Sequence, residues 1–403
     1  MTIDDARALD AADPLRPYRD RFRLPEGLIY LDGNSLGCLP HATVAAQRDA
    51  VERQWGEQLI GSWNKEGWID APARIAGKIA PLIGADAHEV LVADSTSVNL
   101  YKALAAAVAL RPGRREIVTE LGNFPSDLYV AGAVPGADVR AVPPGEVEAA
   151  LGPNSAVLLL TQVHYKTGER RDITALTARA HDAGALAVWD LSHSVGAVPL
   201  ALSADGADFA VGCGYKFLNG GPGAPAFIFA AARHHDAMRS PLQGWFGHAA
   251  PFAFPDDYAP APGVARFACG TPPMLSLLAL ESGVENFAGA DMAALFAKSA
   301  ALFDLFAGEV DARCPALRLA SPRDRARRGS QISFAHPHAY EICQALIAAG
   351  VVGDFRAPDI LRFGLTPLYT GFEDVWSAVD RLASILDNET WRDPHFAKRA
   401  KVT

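Results

Sequence analysis

Long apolar runs, paired cysteines and an excess of basic charge are all missing from this sequence. No stretch reaches the ~20 apolar residues that a membrane-spanning helix needs. The most apolar windows, Ala103–Leu110 and Ala224–Ala232, have the length of buried core elements. The five cysteines, Cys38, Cys213, Cys269, Cys314 and Cys343, are odd in number, far apart and never spaced C-x-x-C. That pattern fits reduced thiols in a cytoplasmic protein better than disulfides or zinc. Met1–Pro14 is acidic and lacks the apolar centre of a secretion signal, which points the same way. His234-His235 and His336-Pro337-His338 have no cysteine or carboxylate at ligand spacing, so no metal is expected. With 37 basic against 46 acidic residues the chain has no overall positive field to hold nucleic acid. The one dense basic run, Arg323, Arg325, Arg327 and Arg328, reads as a solvated loop. Walker motifs and a full dinucleotide fingerprint are absent too, which disfavours ATP and NAD sites.

What is present is a globular composition, 50% hydrophobic and 21% charged over 403 residues, enough for one large domain and one smaller. Between Glu89 and Phe229 short β-rich runs alternate with helical segments, the signature of βαβ units around a buried, mainly parallel sheet. The strands expected are Glu89–Ala93, Glu116–Thr119, Ala156–Thr161, Ala185–Asp190, Phe209–Gly212 and Ala226–Phe229. Ser97–Leu110 and Thr174–Ala183 read as helices, the second opened by Thr174 and closed by Gly184. Ala42–Gln58 reads as a helix after a Gly/Pro-rich turn. Gln243–Pro273 has no clear period and reads as a long functional loop. From Leu275 onward helices (Leu275–Phe287, Met292–Phe306, Tyr340–Ala349, Phe372–Leu386) alternate with short strands such as Ser330–Phe334 and Ile360–Phe363. The expected fold class is therefore α/β, a large domain with a mainly parallel central sheet flanked by helices, plus a smaller α+β C-terminal domain. The expected boundaries are an N-terminal segment over 1–60, a large domain over 61–273 and a small domain over 274–403.

Chemistry-bearing residues gather at the expected strand ends. The run Ala-Leu-Ala-Val-Trp-Asp places Asp190 at the C-terminal end of an apolar strand, the edge at which open α/β sheets bind ligands. A buried carboxylate is costly without a cation or donors; helix capping is the alternative reading. His193 lies three residues on. The next strand delivers Tyr215-Lys216 into a glycine-rich turn, where desolvation lowers an amine's pKa and makes it nucleophilic; a surface lysine is the alternative. Together they suggest pyridoxal phosphate, with Lys216 forming the Schiff base and Asp190 pairing with the pyridinium nitrogen. Thr96 and Ser97, where a strand end passes into a helix, would offer hydroxyls and backbone N–H groups to a phosphate, or simply cap the helix.

With these residues in place, the sequence resembles the kynureninases, pyridoxal-phosphate enzymes of the aspartate-aminotransferase fold type. The resemblance spans nearly the whole chain. It rests on Tyr30-Leu-Asp-Gly-Asn-Ser-Leu-Gly37, Asp94-Ser-Thr-Ser-Val-Asn-Leu100, Asn123-Phe-Pro-Ser-Asp127 and His164-Tyr-Lys-Thr-Gly168. It continues through Trp189-Asp-Leu-Ser-His193, Gly214-Tyr-Lys-Phe-Leu-Asn-Gly-Gly-Pro-Gly223, Gln243-Gly-Trp-Phe-Gly-His248 and Cys269-Gly-Thr-Pro-Pro273.

The resemblance implies cleavage of L-kynurenine to anthranilate and L-alanine in tryptophan degradation, with 3-hydroxykynurenine as a second substrate. It implies that Lys216, Asp190 and Tyr215 carry the catalysis and that Phe124 stacks on the cofactor beside His193. Thr96, Ser97, Ser126, Asp127 and Thr161 match further cofactor contacts. Trp245 and Thr271 match positions that reach the phosphate from a neighbouring subunit, which implies a homodimer. Arg362, in Leu361-Arg-Phe-Gly-Leu-Thr-Pro367, matches the arginine that grips the substrate carboxylate. Asn34 and Ser35, with Trp63 or Trp68, match the substrate end of the pocket. Two positions depart from the family pattern: Thr271 stands where animal members carry an amide, favouring kynurenine over its 3-hydroxy form, and Cys38 stands where leucine is common. The alternatives are another enzyme of the same fold type, a cysteine desulfurase or aminotransferase, and a cofactor-binding sensor without catalysis.

Overall fold

The structure is a computed structural model and describes residues 1–399. Its centre is a seven-stranded sheet in the order Val90–Ala93, Ala226–Ala230, Phe209–Gly212, Leu186–Asp190, Ser155–Thr161, Glu116–Glu120, Asp138–Val142. Ala226–Ala230 runs antiparallel to both neighbours; the other pairings are parallel. Four of the inner strands, Ala226–Ala230, Phe209–Gly212, Leu186–Asp190 and Ser155–Thr161, are buried along their whole length, which is why they read as mainly apolar runs. Alternation sorts their side chains to two faces. Leu158, Leu160, Trp189 and Phe227 join one core, while Val157, Leu159, Val188 and Ile228 join the other, beneath helix Thr96–Ala109.

All six strands expected of the large domain form. The seventh, Asp138–Val142, was not expected: it is an edge strand whose first three residues are exposed, and Asp138 and Arg140 break its apolar run. Helix Ala71–Ile83 was also not expected, because Pro72, Gly77 and Pro81 interrupt its apolar spacing, yet Ile75, Ile79, Leu82 and Ile83 bury one face. The helix expected over Ala42–Gln58 is α-helical over His41–Asp49 and then widens to a π turn over Ala50–Trp55. Helix Ile173–Asp182 is opened by Asp172, whose carboxylate accepts from the Ala175 N–H at 3.0 Å, in place of the expected Thr174. Gly184 follows its end at φ +77°. Gln243–Pro273 contains only short 3₁₀ turns between its extended segments.

The smaller unit is an antiparallel sheet, Arg318–Leu319, Gln331–Ala335, Ile360–Gly364, Asp354–Arg356, packed on helices Met292–Arg313, Ala339–Ala348 and Phe372–Asp387. Phe306 meets Phe334 and Phe363 at 5.6 and 4.9 Å in its core. The hydrophobic clusters do not follow chain order at 60 and 273. Ala6, Ile29 and Leu31 pack into the small-domain core, and Met274, Leu277 and Leu280 of helix Met274–Val284 pack into the large one. Parallel pairing of Ile29–Tyr30 with Val351–Val352 fastens the N-terminal segment to the small domain. Residues 400–403 of the expected small domain lie outside the described residues.

Helix Met274–Val284 also sets the floor beneath Lys216. A Cβ at Gly283 would come within 2.5 Å of the Leu218 carbonyl oxygen and 2.6 Å of the Asn219 carbonyl, both backbone atoms of the turn that follows Lys216. Gly283→Ala therefore drives helix and turn apart. A loss of about 1–3 kcal/mol is expected, read as a lower thermal midpoint by circular dichroism; an unchanged midpoint would refute this close approach.

Candidate active site

Three groups of residues meet at the C-terminal edge of the large sheet, where the small domain closes over it. The first is a pair of carboxyls. Asp190 ends its strand 4% exposed, and both the Ser192 N–H (2.8 Å) and the Ser192 hydroxyl (2.6 Å) donate to its Oδ1. Asp127, in the first turn of helix Pro125–Gly132, is 2% exposed. Thr161 Oγ1 lies 3.2 Å from Asp127 Oδ2 and 2.6 Å from Asn123 Oδ1. Burial, then the charge of Asp190, pushes the Asp127 carboxyl well above the usual carboxylate range, and burial raises Asp190 as well. The two carboxyls act on each other, and desolvation drives both toward the protonated form.

The second group surrounds Lys216. Its Nζ lies 3.0 Å from His193 Nε2, and His193 Nδ1 lies 3.0 Å from Gln331 Oε1 in the small domain. Burial, reinforced by the charge of Lys216, holds the imidazole well below its ordinary pKa. Tyr215, partly buried beside it, has its phenol pushed up by desolvation.

The third group is built on Arg362, which is 1% exposed. Its Nε donates to Asp354 Oδ1 at 2.8 Å, Nη2 to Asp354 Oδ2 and, at 2.9 Å, to Ser35 Oγ, and Nη1 to the Tyr165 carbonyl at 2.5 Å. Arg356 Nη2 lies 2.7 Å from the same Asp354. Asp32, half-buried near Asp354, is pushed up to about 7, chiefly by desolvation. Asn34 is fully buried against Gly364, where a Cβ would come 2.2 Å from its Oδ1; it stands behind Ser35 in the turn.

Beside these groups a cavity of about 740 Å³ is lined by Thr96, Tyr215, Phe246 and Thr271 among others. The structure thus brings Lys216, His193, Asp190, Asp127 and Thr161 together, Arg362 with Ser35, and Thr96 with Tyr215 and Thr271. Phe124 packs its ring edge-on to Tyr165 at 5.2 Å, and Tyr165 supplies the carbonyl that holds Arg362. Trp63 stands one residue back from the cavity, packed on Trp68 and Phe246. Trp245 is 38% exposed, packs on Phe246 at 4.4 Å and lies beside Phe252 and Phe254. Ser97 and Ser126 occupy the first turns of their helices and are not among the residues lining the cavity.

Sequence reading passed over Gln331, Asp354, Tyr165 and Asn123. The last two stood inside the motifs His164–Gly168 and Asn123–Asp127 and were open to notice; Gln331 and Asp354 carried no local signal.

Residues 295–382 match the kynureninase C-terminal domain family. The chain is 50% identical over 414 aligned residues to kynureninase from Burkholderia mallei, covering all of both chains. It is equally similar, at 50% over all of both chains, to kynureninase from Pseudomonas fluorescens. Among solved structures it is similar to a cysteine desulfurase from Escherichia coli, with a TM-score of 0.78 at 20% identity over 93% of this chain and 98% of that one. A cysteine desulfurase from Thermococcus onnurineus matches at 0.78 and 17% over 92% and 98%, a likeness of fold.

The buried carboxyl pair makes a pH-dependent prediction for the protein free of cofactor. Raised folded-state pKa values mean that the stability present below the unfolded carboxylate value of 3.8 is lost as pH rises through the folded values. Asp127→Asn removes one charge, so its advantage in urea unfolding should grow from pH 3.8 toward neutrality. A pH-independent difference would refute the charge coupling. With full-length relatives at this level of identity, the chain belongs to the kynureninase family.

Proposed function

We propose that this protein is a pyridoxal-phosphate enzyme that cleaves L-kynurenine hydrolytically to anthranilate and L-alanine, a step of tryptophan degradation. The observation that carries the reading is 50% identity to kynureninases over the entire chain. The residues present fit the cofactor. A buried carboxyl pair at a sheet edge suits a protonated ring nitrogen, a lysine lies 3.0 Å from a neutral histidine, and hydroxyls line the adjacent cavity.

When bound, pyridoxal phosphate supplies an electron sink for the substrate's α-carbon. Lys216 would hold it covalently and, once displaced by the substrate amine, take the α-proton on Nζ. Asp190, with Asp127 beside it, would keep the ring nitrogen protonated. Thr96, Ser97, Ser126 and Thr161 would hold the cofactor's polar edge, with Phe124 and His193 at its faces. Arg362 would orient the substrate by its carboxylate, for which the Ser35 hydroxyl on Nη2 must give way. Asn34 and Trp63 would shape the far end of the pocket. Tyr215 would return a proton to the β-carbon after the carbon–carbon bond breaks; desolvation keeps its phenol protonated for that task.

We also propose a homodimer in which Trp245 and Thr271 complete the partner's site. The exposed rings of Trp245 (38%), Phe252 (63%) and Phe254 (72%) support it, an aromatic patch of the kind that a second subunit covers. No described helix is long and apolar enough to cross a membrane, and the five free thiols suit a reducing cytoplasm.

The test is anthranilate fluorescence after L-kynurenine is added to protein loaded with pyridoxal phosphate. Wild type should produce anthranilate and Lys216→Ala none; turnover by the variant would overturn the assignment of the lysine. Arg362→Lys keeps the charge and loses the planar fork. A loss of about 1.5–3 kcal/mol corresponds to a rise in KM of roughly 10- to 100-fold. A KM within twofold of wild type would place the substrate carboxylate elsewhere.

A further inference from the structure

We infer that Gln331, a small-domain residue outside every motif singled out above, is a positioning residue that fixes the tautomer of His193 and keeps its Nε2 an acceptor for the Lys216 amine. This rests on the reading of Lys216 as the reactive lysine.

Donors and acceptors around the amide settle its orientation. Gln331 Nε2 lies 3.2 Å from the His164 carbonyl oxygen and 3.1 Å from the Tyr165 carbonyl oxygen. Carbonyl oxygens only accept, so the NH₂ end must face them and Oε1 must face His193 Nδ1 at 3.0 Å. An amide oxygen also only accepts, so Nδ1 carries the hydrogen. Burial above all, then the charges of Lys216, Arg362 and Arg356, keeps the ring neutral. A neutral imidazole with hydrogen on Nδ1 has a bare lone pair on Nε2. That lone pair lies 3.0 Å from Lys216 Nζ.

The choice of tautomer matters to the amine. Once Lys216 is a neutral amine, it donates one N–H to the bare Nε2 and keeps its own lone pair for the substrate proton. With hydrogen on Nε2, a neutral Lys216 would accept that hydrogen, and the pair needed as base would be tied up. Gln331 can do this because the place is built for it. It is 1% exposed and sits opposite Gly364 in the small sheet. Gly168, at φ +68°, leaves room that a Cβ would close to 2.8 Å from Gln331 Cγ. Both carbonyls come from the large domain and the amide from the small one, so the setting exists only where the domains meet.

Long-range ¹H–¹⁵N correlation spectra of the cofactor-loaded protein with ¹⁵N-histidine, His193 being assigned by its loss in His193→Gln, read the tautomer directly. Hydrogen on Nδ1 in wild type is expected; hydrogen on Nε2 overturns the inference whatever the variants do. Gln331→Leu should lose the single Nδ1–H form and lower kcat by about 10- to 100-fold, the range for removing the partner that orients a functional histidine at metal sites. A Leu variant with Nδ1–H and wild-type kcat also overturns it. Gln331→Glu keeps an acceptor on Nδ1 and should keep the Nδ1–H form while raising the His193 pKa in the same spectra; Nε2–H there counts against the inference. Should Lys216→Ala prove active while wild type shows Nδ1–H, the lysine reading fails and the tautomer assignment stands.

Discussion

A carboxylate on the last residue of a fully buried strand is destabilising unless a cation answers it, and the large domain is arranged around that requirement at Asp190. Lys216, emerging from the neighbouring strand, lowers the Asp190 pKa by its charge; Ser192 lowers it by two hydrogen bonds, and burial still wins. Asp127 adds a second carboxyl to the same small volume. Such a set is poorly satisfied by the chain alone. It gains most from a ligand that brings a ring N–H to the carboxyls, so the strain in the site and its affinity for the proposed cofactor have one origin.

The small domain repeats the theme with opposite sign. Arg362 is buried and is held by Asp354, Ser35 and the Tyr165 carbonyl. The hairpin over residues 163–171 of the large domain ties the two centres. Its Tyr165 carbonyl takes hydrogen bonds from both Arg362 and Gln331, Ser333 Oγ donates to its Lys166 carbonyl at 2.5 Å, and its Glu169 bridges to Arg328. The basic run that reads from sequence as a solvated loop is partly a strap: Arg328 is 2% exposed with its guanidinium over the Phe303 ring, while Arg327 reaches Glu169 at 2.6 Å. Charge density along the chain does not reveal which arginine of a run turns inward.

Legibility followed locality. Asp190, Lys216 and the strands carrying them announce themselves because an apolar run ending in Asp, or a lysine among glycines, is a pattern within a few residues. Arg362 entered through the family resemblance, in the run Leu361–Pro367. Asp354, though only on the adjoining strand and opposite Arg362, was not legible, since its three-residue strand is too short to show a period. Gln331 was hidden for a different reason: its partners His193 and Tyr165 are 138 and 166 residues away, and an amide in a strand carries no signal until the domains are docked. The edge strand Asp138–Val142 was missed because exposure had replaced its apolar residues.

Likeness to cysteine desulfurases shows how little the sheet alone decides. A desulfurase reaction asks for a thiolate at the substrate, and thiolate character requires exposure or a nearby cation. Here burial pushes Cys38 up to about 12 and Cys314 to about 11, and raises Cys213 and Cys343 as well. Cys269, the least buried, has its Sγ directed at the Leu242 and Phe267 carbonyls, and Lys102 Nζ donates to the same Phe267 carbonyl at 2.5 Å. Four of the five thiols are thus buried and kept from the thiolate form, while the polar groups gathered at the sheet edge, Arg362, Tyr215 and the carboxyl pair, are those that the proposed carbon–carbon cleavage would use. What separates one chemistry from another on this fold is the set of groups around the sheet edge, and 50% identity to kynureninases over the whole chain favours carbon–carbon cleavage over sulfur transfer.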